Sequence, residues 1–218
     1  MATSFLSFLL LTAFSTAAIA APPRHHNLTV KCPVIFDGRV PRNATLKTFD
    51  TTVSPYSPDY VKGVNTTWSS ILLLPNVSNS LFDTPAYKPL EVTISDASLF
   101  LPGGGKVQYG FRRAGLLLAA NNGTDASNEG VVTFHWSVGQ DRKRGMNLTH
   151  EYMNVWHETN DYSHNQFSFK AGEVLFVNNT WPRHSWKMTN SNDTVIWHTP
   201  IVEGAWQNFA VHLDYGMK

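Results

Sequence analysis

Nine residues, His150-Glu151-Tyr152-Met153-Asn154-Val155-Trp156-His157-Glu158, carry two histidines, two carboxylates and two large aromatic rings. In a chain that is only 15% charged, this is a marked concentration. Carboxylates and imidazoles move protons, and flat rings stack on sugar faces, so the stretch holds the parts of a carbohydrate-handling cleft. Which groups share a side decides what they can do together. As one regular strand, His150, Tyr152, Asn154, Trp156 and Glu158 fall on one side, and Glu151, Met153, Val155 and His157 on the other. The first side reads as a sugar-binding wall of Tyr152, Asn154 and Trp156. Glu151 and Glu158 share a cleft only if a bulge intervenes. Glu151 sits among core-type residues, as a general acid with a raised pKa or as the structural partner of an Arg.

Other candidates are single residues. Two adjacent arginines, Arg112 and Arg113, point to opposite faces of an extended segment. One must turn inward, either to pair with Glu151 or to meet a substrate. His135 lies on the polar face of its strand, a surface hydrogen-bonding group or a proton carrier. No metal is expected. The two His-Glu pairs are separated by five residues, unlike the helical His-Glu-x-x-His motif, and alternation splits the histidines across the sheet. Asp96, Asp125 and Asp161 sit near turns without calcium-loop spacing. A serine nucleophile elbow is lacking, and Gly103-Gly104-Gly105 reads as a plain turn rather than a phosphate cradle. No cofactor is implied.

The elements that must position these groups read as mostly β. Val131 to Val138 sets Val132, Phe134, Trp136 and Val138 against Thr133, His135 and Ser137. Asn165 to Lys170 opposes Phe167 and Phe169 to Gln166, Ser168 and Lys170. Val92 to Ile94 and Asp193 to His198 are shorter strand candidates. Asn208 to Tyr215 buries Phe209, Val211, Leu213 and Tyr215. Turn clusters at 102–105, 121–123 and 190–193 separate them, and only Trp68 to Leu74 looks helical. Short two-faced strands predict two packed antiparallel sheets, a β-sandwich or jelly roll.

The chain opens on an apolar run, Phe5 to Ala20, broken by Pro22-Pro23. Ala18-Ile19-Ala20 fits a small-x-small cleavage site, so residues 1–20 read as a signal peptide and 21–218 as one domain. The run is short for a membrane span. Secretion agrees with eight Asn-x-Ser/Thr sites, at Asn27, Asn43, Asn65, Asn76, Asn122, Asn147, Asn178 and Asn192. The net charge of +1 makes no case for nucleic acid or for an anionic membrane. A monomer is expected. The single Cys32 is a buried inert thiol, a link between chains, or the survivor of an intramolecular pair. The terminal strand stops three residues before the end, so the domain reads as lacking its C-terminal strands.

Several blocks of the sequence resemble glycoside hydrolase family 131. They are Cys32-Pro33-Val34-Ile35-Phe36-Asp37-Gly38-Arg39-Val40-Pro41, Ser57-Pro58-Asp59-Tyr60-Val61-Lys62-Gly63, Glu91-Val92-Thr93-Ile94-Ser95-Asp96, Gly110-Phe111-Arg112-Arg113-Ala114, Asn147-Leu148-Thr149-His150-Glu151-Tyr152 and Trp206-Gln207-Asn208-Phe209-Ala210-Val211. The resemblance implies a secreted fungal β-glucanase with a β-jelly-roll fold. It would act on β-1,3-, β-1,6- and β-1,4-linked glucan of cell-wall polysaccharide with carboxylates and no cofactor. It also implies an acid after Phe-Arg-Arg-Ala, where this chain has Gly115, and further strands beyond Lys218. On this reading Glu151 or Glu158 is one acid or base, and Arg113 and His135 orient substrate or tune its pKa. Tyr152 and Trp156, with Asn154, bind glucose units. The rivals are an inactive glucan-binding module and a polysaccharide lyase using Tyr152, His135 and an Arg.

Overall fold

A computed structural model describes residues 33–103, 105–119, 129–175 and 180–216. The stretch expected to be a signal peptide, residues 1–20, and Asn27, Cys32, Asn122, Asp125 and Asn178 lie outside them. The chain divides into two units, 1–34 and 35–218, and every strand named below belongs to the second.

In chain order the strands are β1 (Val40–Pro41), β2 (Leu72–Leu73), β3 (Tyr87–Lys88), β4 (Glu91–Val92), β5 (Val131–Val138), β6 (Glu151–Glu158), β7 (Asn165–Gly172), β8 (Ser185–Asn190), β9 (Val195–Pro200) and β10 (Gln207–Asp214). A 3-10 turn spans Leu46–Asp50 and a single helical turn, α1, Trp68–Ile71. The helical expectation for Trp68 to Leu74 therefore holds for one turn, after which Leu72 and Leu73 pair with β4. All strand pairs are antiparallel, and β6-β7-β8-β9 form the one four-stranded sheet among the described residues. Strands β5 and β10 pair along their whole length, from Val131 opposite Asp214 to Val138 opposite Gln207.

The β-sandwich comes from the apolar faces that alternation marks. Phe167, Phe169, Ala171, Trp186 and Met188, from one face of the four-stranded sheet, form a buried cluster with Ile201. Phe134, Trp136 and Val138 of β5 and Phe209, Val211 and Leu213 of β10 pack against it. Ring contacts knit the layers: Trp136 meets Phe169 edge-on at 5.2 Å, and Phe169 meets Phe209 at 4.6 Å. Burying a ring of this size contributes on the order of 2–3 kcal/mol, so this cluster dominates the stability of the sandwich. A second cluster, Val40, Phe49, Trp68, Ile71 and Leu72, gathers the short elements before residue 100, with Ala114 and Leu116 packed on it.

The opposite face of β7 and β8 departs from a simple polar-out pattern. Ser168, Lys170, Ser185, Lys187 and Thr189 project there, and all are buried. An antiparallel sheet with one wet side would leave them in water. Here that side is covered, so its polar groups need partners within the protein.

A bulged strand and a buried lysine form the candidate site

Strand β6 is not regular. Met153 stands opposite Lys170 and Val155 opposite Phe169, leaving Asn154 without a counterpart. This is a β-bulge, and one extra residue reverses the alternation beyond it. A second irregularity falls between His157 and Glu158. Cross-strand partners share a face, so the register assigns each side chain. Glu151 goes with Gly172, Met153 with Lys170, Trp156 with Ser168 and Glu158 with Asn165, all on the covered polar face. Tyr152, Val155 and His157 go with Ala171, Phe169 and Phe167 on the core face.

The bulge thus corrects two expectations. Glu151 and Trp156 share a side, and Tyr152 does not join them. Tyr152 packs against the central cluster and its hydroxyl accepts the Asn147 N–H at 3.0 Å. Asn154 is the exposed bulge residue, and its amide donates to the Tyr152 carbonyl at 3.2 Å. Trp156 is left as the ring on the Glu151 face. His157 is a core-side residue: it bonds Gln166, meets Phe134 edge-on at 4.9 Å and stacks on Phe167.

Glu151 is built into an ion pair. Its Oε2 lies 3.4 Å from Lys170 Nζ and accepts the Leu175 N–H at 2.9 Å. The Lys170 side chain is 5% exposed and that of Glu151 15%. Lys170 Nζ also reaches Asp193 Oδ1 at 3.2 Å. The partner of Glu151 is therefore a lysine of the neighbouring strand rather than an inward arginine. Arg112 pairs with Asp96 at 3.2 Å. Arg113 is exposed, its guanidinium 5.0 Å from the Phe111 ring and 5.2 Å from Phe100.

The two glutamates of β6 share a face but cannot act as a pair. Seven residues at about 3.3 Å each separate them by roughly 20 Å, against about 5–10 Å between glycosidase carboxylates. Glu158 is exposed, and its side chain makes no bond to a described residue. His135 is exposed on the outer face of the β5–β10 sheet, edge-on to Phe82 at 5.6 Å. Tyr152, His135 and Arg113, the set a lyase would need, do not share a face.

Gly115 meets this face directly. Its backbone N–H bonds the Val61 carbonyl, and a Cβ built there would lie 2.5 Å from Trp156 Cη2 and 3.3 Å from Val61 Cγ1. The indole occupies the space that a side chain at 115 would take.

Sequence patterning missed the lysines. Lys170, Lys187 and His198 stand in one row across β7, β8 and β9, and the Trp181 ring packs on His198 at 4.8 Å. Lys187 is fully buried, donating to the Gly172 and Ser185 carbonyls at 2.8 and 3.2 Å. Burial pushes its ammonium pKa down. The unfolded chain then binds more protons than the native one between that lowered value and the ordinary pKa near 10.4. Stability from this residue rises with pH across that window. Lys187→Met is expected to remove the rise, seen as a flatter dependence of the urea midpoint as the pH is raised toward the ordinary lysine pKa.

Among the described residues no three His, Cys, Asp or Glu side chains gather as a metal site, and no helix is long and apolar enough to cross a membrane. The exposed sequon asparagines among the described residues are Asn43, Asn65, Asn76, Asn147 and Asn192. A surface pocket between Arg39, Val40, Phe49 and Tyr56 shares no residue with the Glu151 face. Residues 34–218 match the family model described as the glycoside hydrolase 131 catalytic N-terminal domain. A comparison with curated proteins found no match.

Proposed function

The chain belongs to glycoside hydrolase family 131, and on that footing we propose that it binds β-glucan along the edge strand β6, where Trp156 stays partly exposed at the rim of the covered polar face, and hydrolyses its glucosidic bonds with Glu151 as one carboxylate. The observation that carries this reading is the bulge at Asn154, which brings an anchored carboxylate and the Trp156 ring to one face. Glu151, bonded through Oε2, keeps Oε1 without a partner among the described residues. Trp156 offers a sugar a flat face.

The test is release of reducing ends from laminarin, pustulan and soluble cellulose derivatives. Glu151→Gln is expected to lower that rate by about 10²–10⁴-fold while leaving glucan binding in place. Trp156→Ala is expected to weaken binding roughly 3- to 10-fold. A Glu151→Gln variant as active as the parent would remove Glu151 from the chemistry.

The Gly115–Trp156 contact favours a second reading, a glucan-binding module that does not cleave. An indole then stands where the resemblance implies an acid. Binding to the same glucans without release of sugar, from parent and Glu151→Gln alike, would decide for it. Either activity would be exercised outside the cell by a monomer. Glycans at the exposed Asn43, Asn65, Asn76, Asn147 and Asn192 fit that setting. A secreted product that loses mass on enzymatic deglycosylation is the expected result, and an unglycosylated intracellular one would refute it.

A further inference from the structure

Among the described residues, Arg113 is the arginine whose side chain bonds no oxygen. Arg39, Arg112, Arg144 and Arg183 hold carboxylates, and Arg42 and Arg142 donate to backbone carbonyls. The Arg113 guanidinium is exposed, and its neighbours are two rings, Phe100 at 5.2 Å and Phe111 at 5.0 Å. An arginine stays charged at any ordinary pH and carries five donors in a planar fork. The two rings attract the cation and fix where the fork stands without using any of its donors.

The backbone beneath this side chain is pinned. Arg113 N–H bonds the Ser98 carbonyl at 2.8 Å, and Gly115 N–H bonds the Val61 carbonyl at 2.9 Å. Ala114 and Leu116 turn to the second hydrophobic cluster. Alternation therefore sets Phe111, Arg113 and Gly115 on the other side, where Trp156 Cη2 fills the space beside Gly115. Same-side residues two apart stand about 7 Å from each other along an extended chain. The result is a strip: the Trp156 indole, the Arg113 guanidinium, then the Phe111 ring, 48% exposed. Gly115 brings no charge to this side. Asp96 is taken by Arg112, which leaves the chain on the opposite side. The cation on the strip thus has no counter-charge among the described residues.

We propose that this strip takes a carboxylate-bearing sugar, a uronic acid unit within or at the end of a glucan chain, and that Arg113 selects it. The assignment rests on the reading of Trp156 as a sugar platform. A neutral glucose ring asks for a flat face and hydrogen bonds spread around its rim. A planar fork with a full positive charge and no counter-ion asks for a planar anion, two N–H groups meeting two oxygens. A carboxylate at C6 of a sugar carries that anion just outside the ring, so the ring can lie on an aromatic face while its acid reaches the fork. Because Phe100 and Phe111 already hold the guanidinium, little side-chain freedom is lost on binding. The pair forms close to solvent, so its contribution is modest and is screened by salt.

The experiment measures binding of laminarin and of the same laminarin oxidised at C6, which turns primary alcohols into carboxylates and keeps the linkages. The parent is expected to bind the oxidised polymer about 3- to 10-fold more tightly at low salt, with the preference fading as salt approaches about 1 M. Arg113→Gln is expected to bring the ratio of the two affinities close to unity. Arg113→Lys, which keeps the charge without the fork, is expected to give an intermediate ratio. Lys143→Gln removes an exposed cation from the connection between β5 and β6 and should keep the parent ratio. A parent that binds both polymers equally overturns the assignment alone. So does a preference that survives in Arg113→Gln, or one that Lys143→Gln lowers as much, since it then reports net charge. A parent that binds neither polymer overturns the glucan reading and this assignment with it. Binding of the oxidised polymer only, lost in Arg113→Gln, upholds the assignment and overturns the reading of a neutral glucan as the ligand.

Discussion

Lys170→Met is expected to cost about 3–5 kcal/mol of folding free energy at pH 7, among the largest single-residue losses in this domain. Lys170 sits on the second strand of the four-stranded sheet, its side chain 5% exposed. Methionine matches its length and apolar stem, so packing is nearly kept. What disappears is the cation. Glu151, 15% exposed, is left with only the Leu175 N–H, and its negative charge is stranded away from water. Lowering the pH to about 4, where carboxylates take up protons, removes the stranded charge and should return most of the loss. Glu151→Gln in the same chain should do likewise at pH 7, because it removes the charge covalently. Urea unfolding of the two single variants and the double at pH 4 and pH 7 measures this. An equal deficit at both pH values, unrelieved by Glu151→Gln, would mean that Lys170 stabilises by packing alone.

That lysine was hidden in plain alternation. The faces of β5, β7 and β10 were legible because Phe, Trp and Val alternate strictly with polar residues and nothing interrupts them. The site on β6 was legible as a stretch but not as an arrangement. Met153-Asn154-Val155 contains no Gly or Pro to announce a bulge, and the bulge exists only in the pairing of β6 with β7. A single unpaired residue exchanged the neighbours of Glu151, bringing in Trp156 and removing Tyr152. Ser168 and Lys170 looked like an ordinary wet face because alternation says which residues share a side, not what covers it, and β8, which carries Lys187 and Thr189, was not among the expected strands. Asp193 read as turn chemistry, as Asn190-Ser191-Asn192-Asp193 indeed is, and its reach to Lys170 depends on a strand more than 20 residues earlier. Long-range charge pairing of this kind leaves no local periodic mark.

Gly115→Ala is expected to destabilise the domain by about 1–3 kcal/mol, a large effect for one added methyl group. Elsewhere on an extended segment the same change would be neutral or mildly favourable, since alanine restricts the unfolded chain more than glycine does. Here the new carbon would stand 2.5 Å from Trp156 Cη2, inside any real contact distance, with Val61 Cγ1 at 3.3 Å closing the other side. The 115 backbone cannot easily retreat, because its N–H is bonded to the Val61 carbonyl at 2.9 Å. The indole must therefore move, and with it the ring on the Glu151 face. In a Trp156→Gly background the added methyl finds open space and its cost should fall close to zero, giving a coupling of about 1–3 kcal/mol between the two positions. The same cycle bears on glucan binding: Gly115→Ala should weaken it nearly as much as Trp156→Ala, although residue 115 itself would touch no sugar. The acid that the family resemblance implies at 115 meets the same obstacle, so Gly115→Glu alone should be more damaging than Gly115→Ala and should be tolerated only with Trp156→Gly. If Gly115→Ala and Gly115→Glu proved harmless with Trp156 intact, the indole would not be what occupies that position, and the account of Trp156 as the ring of this site would fail with it.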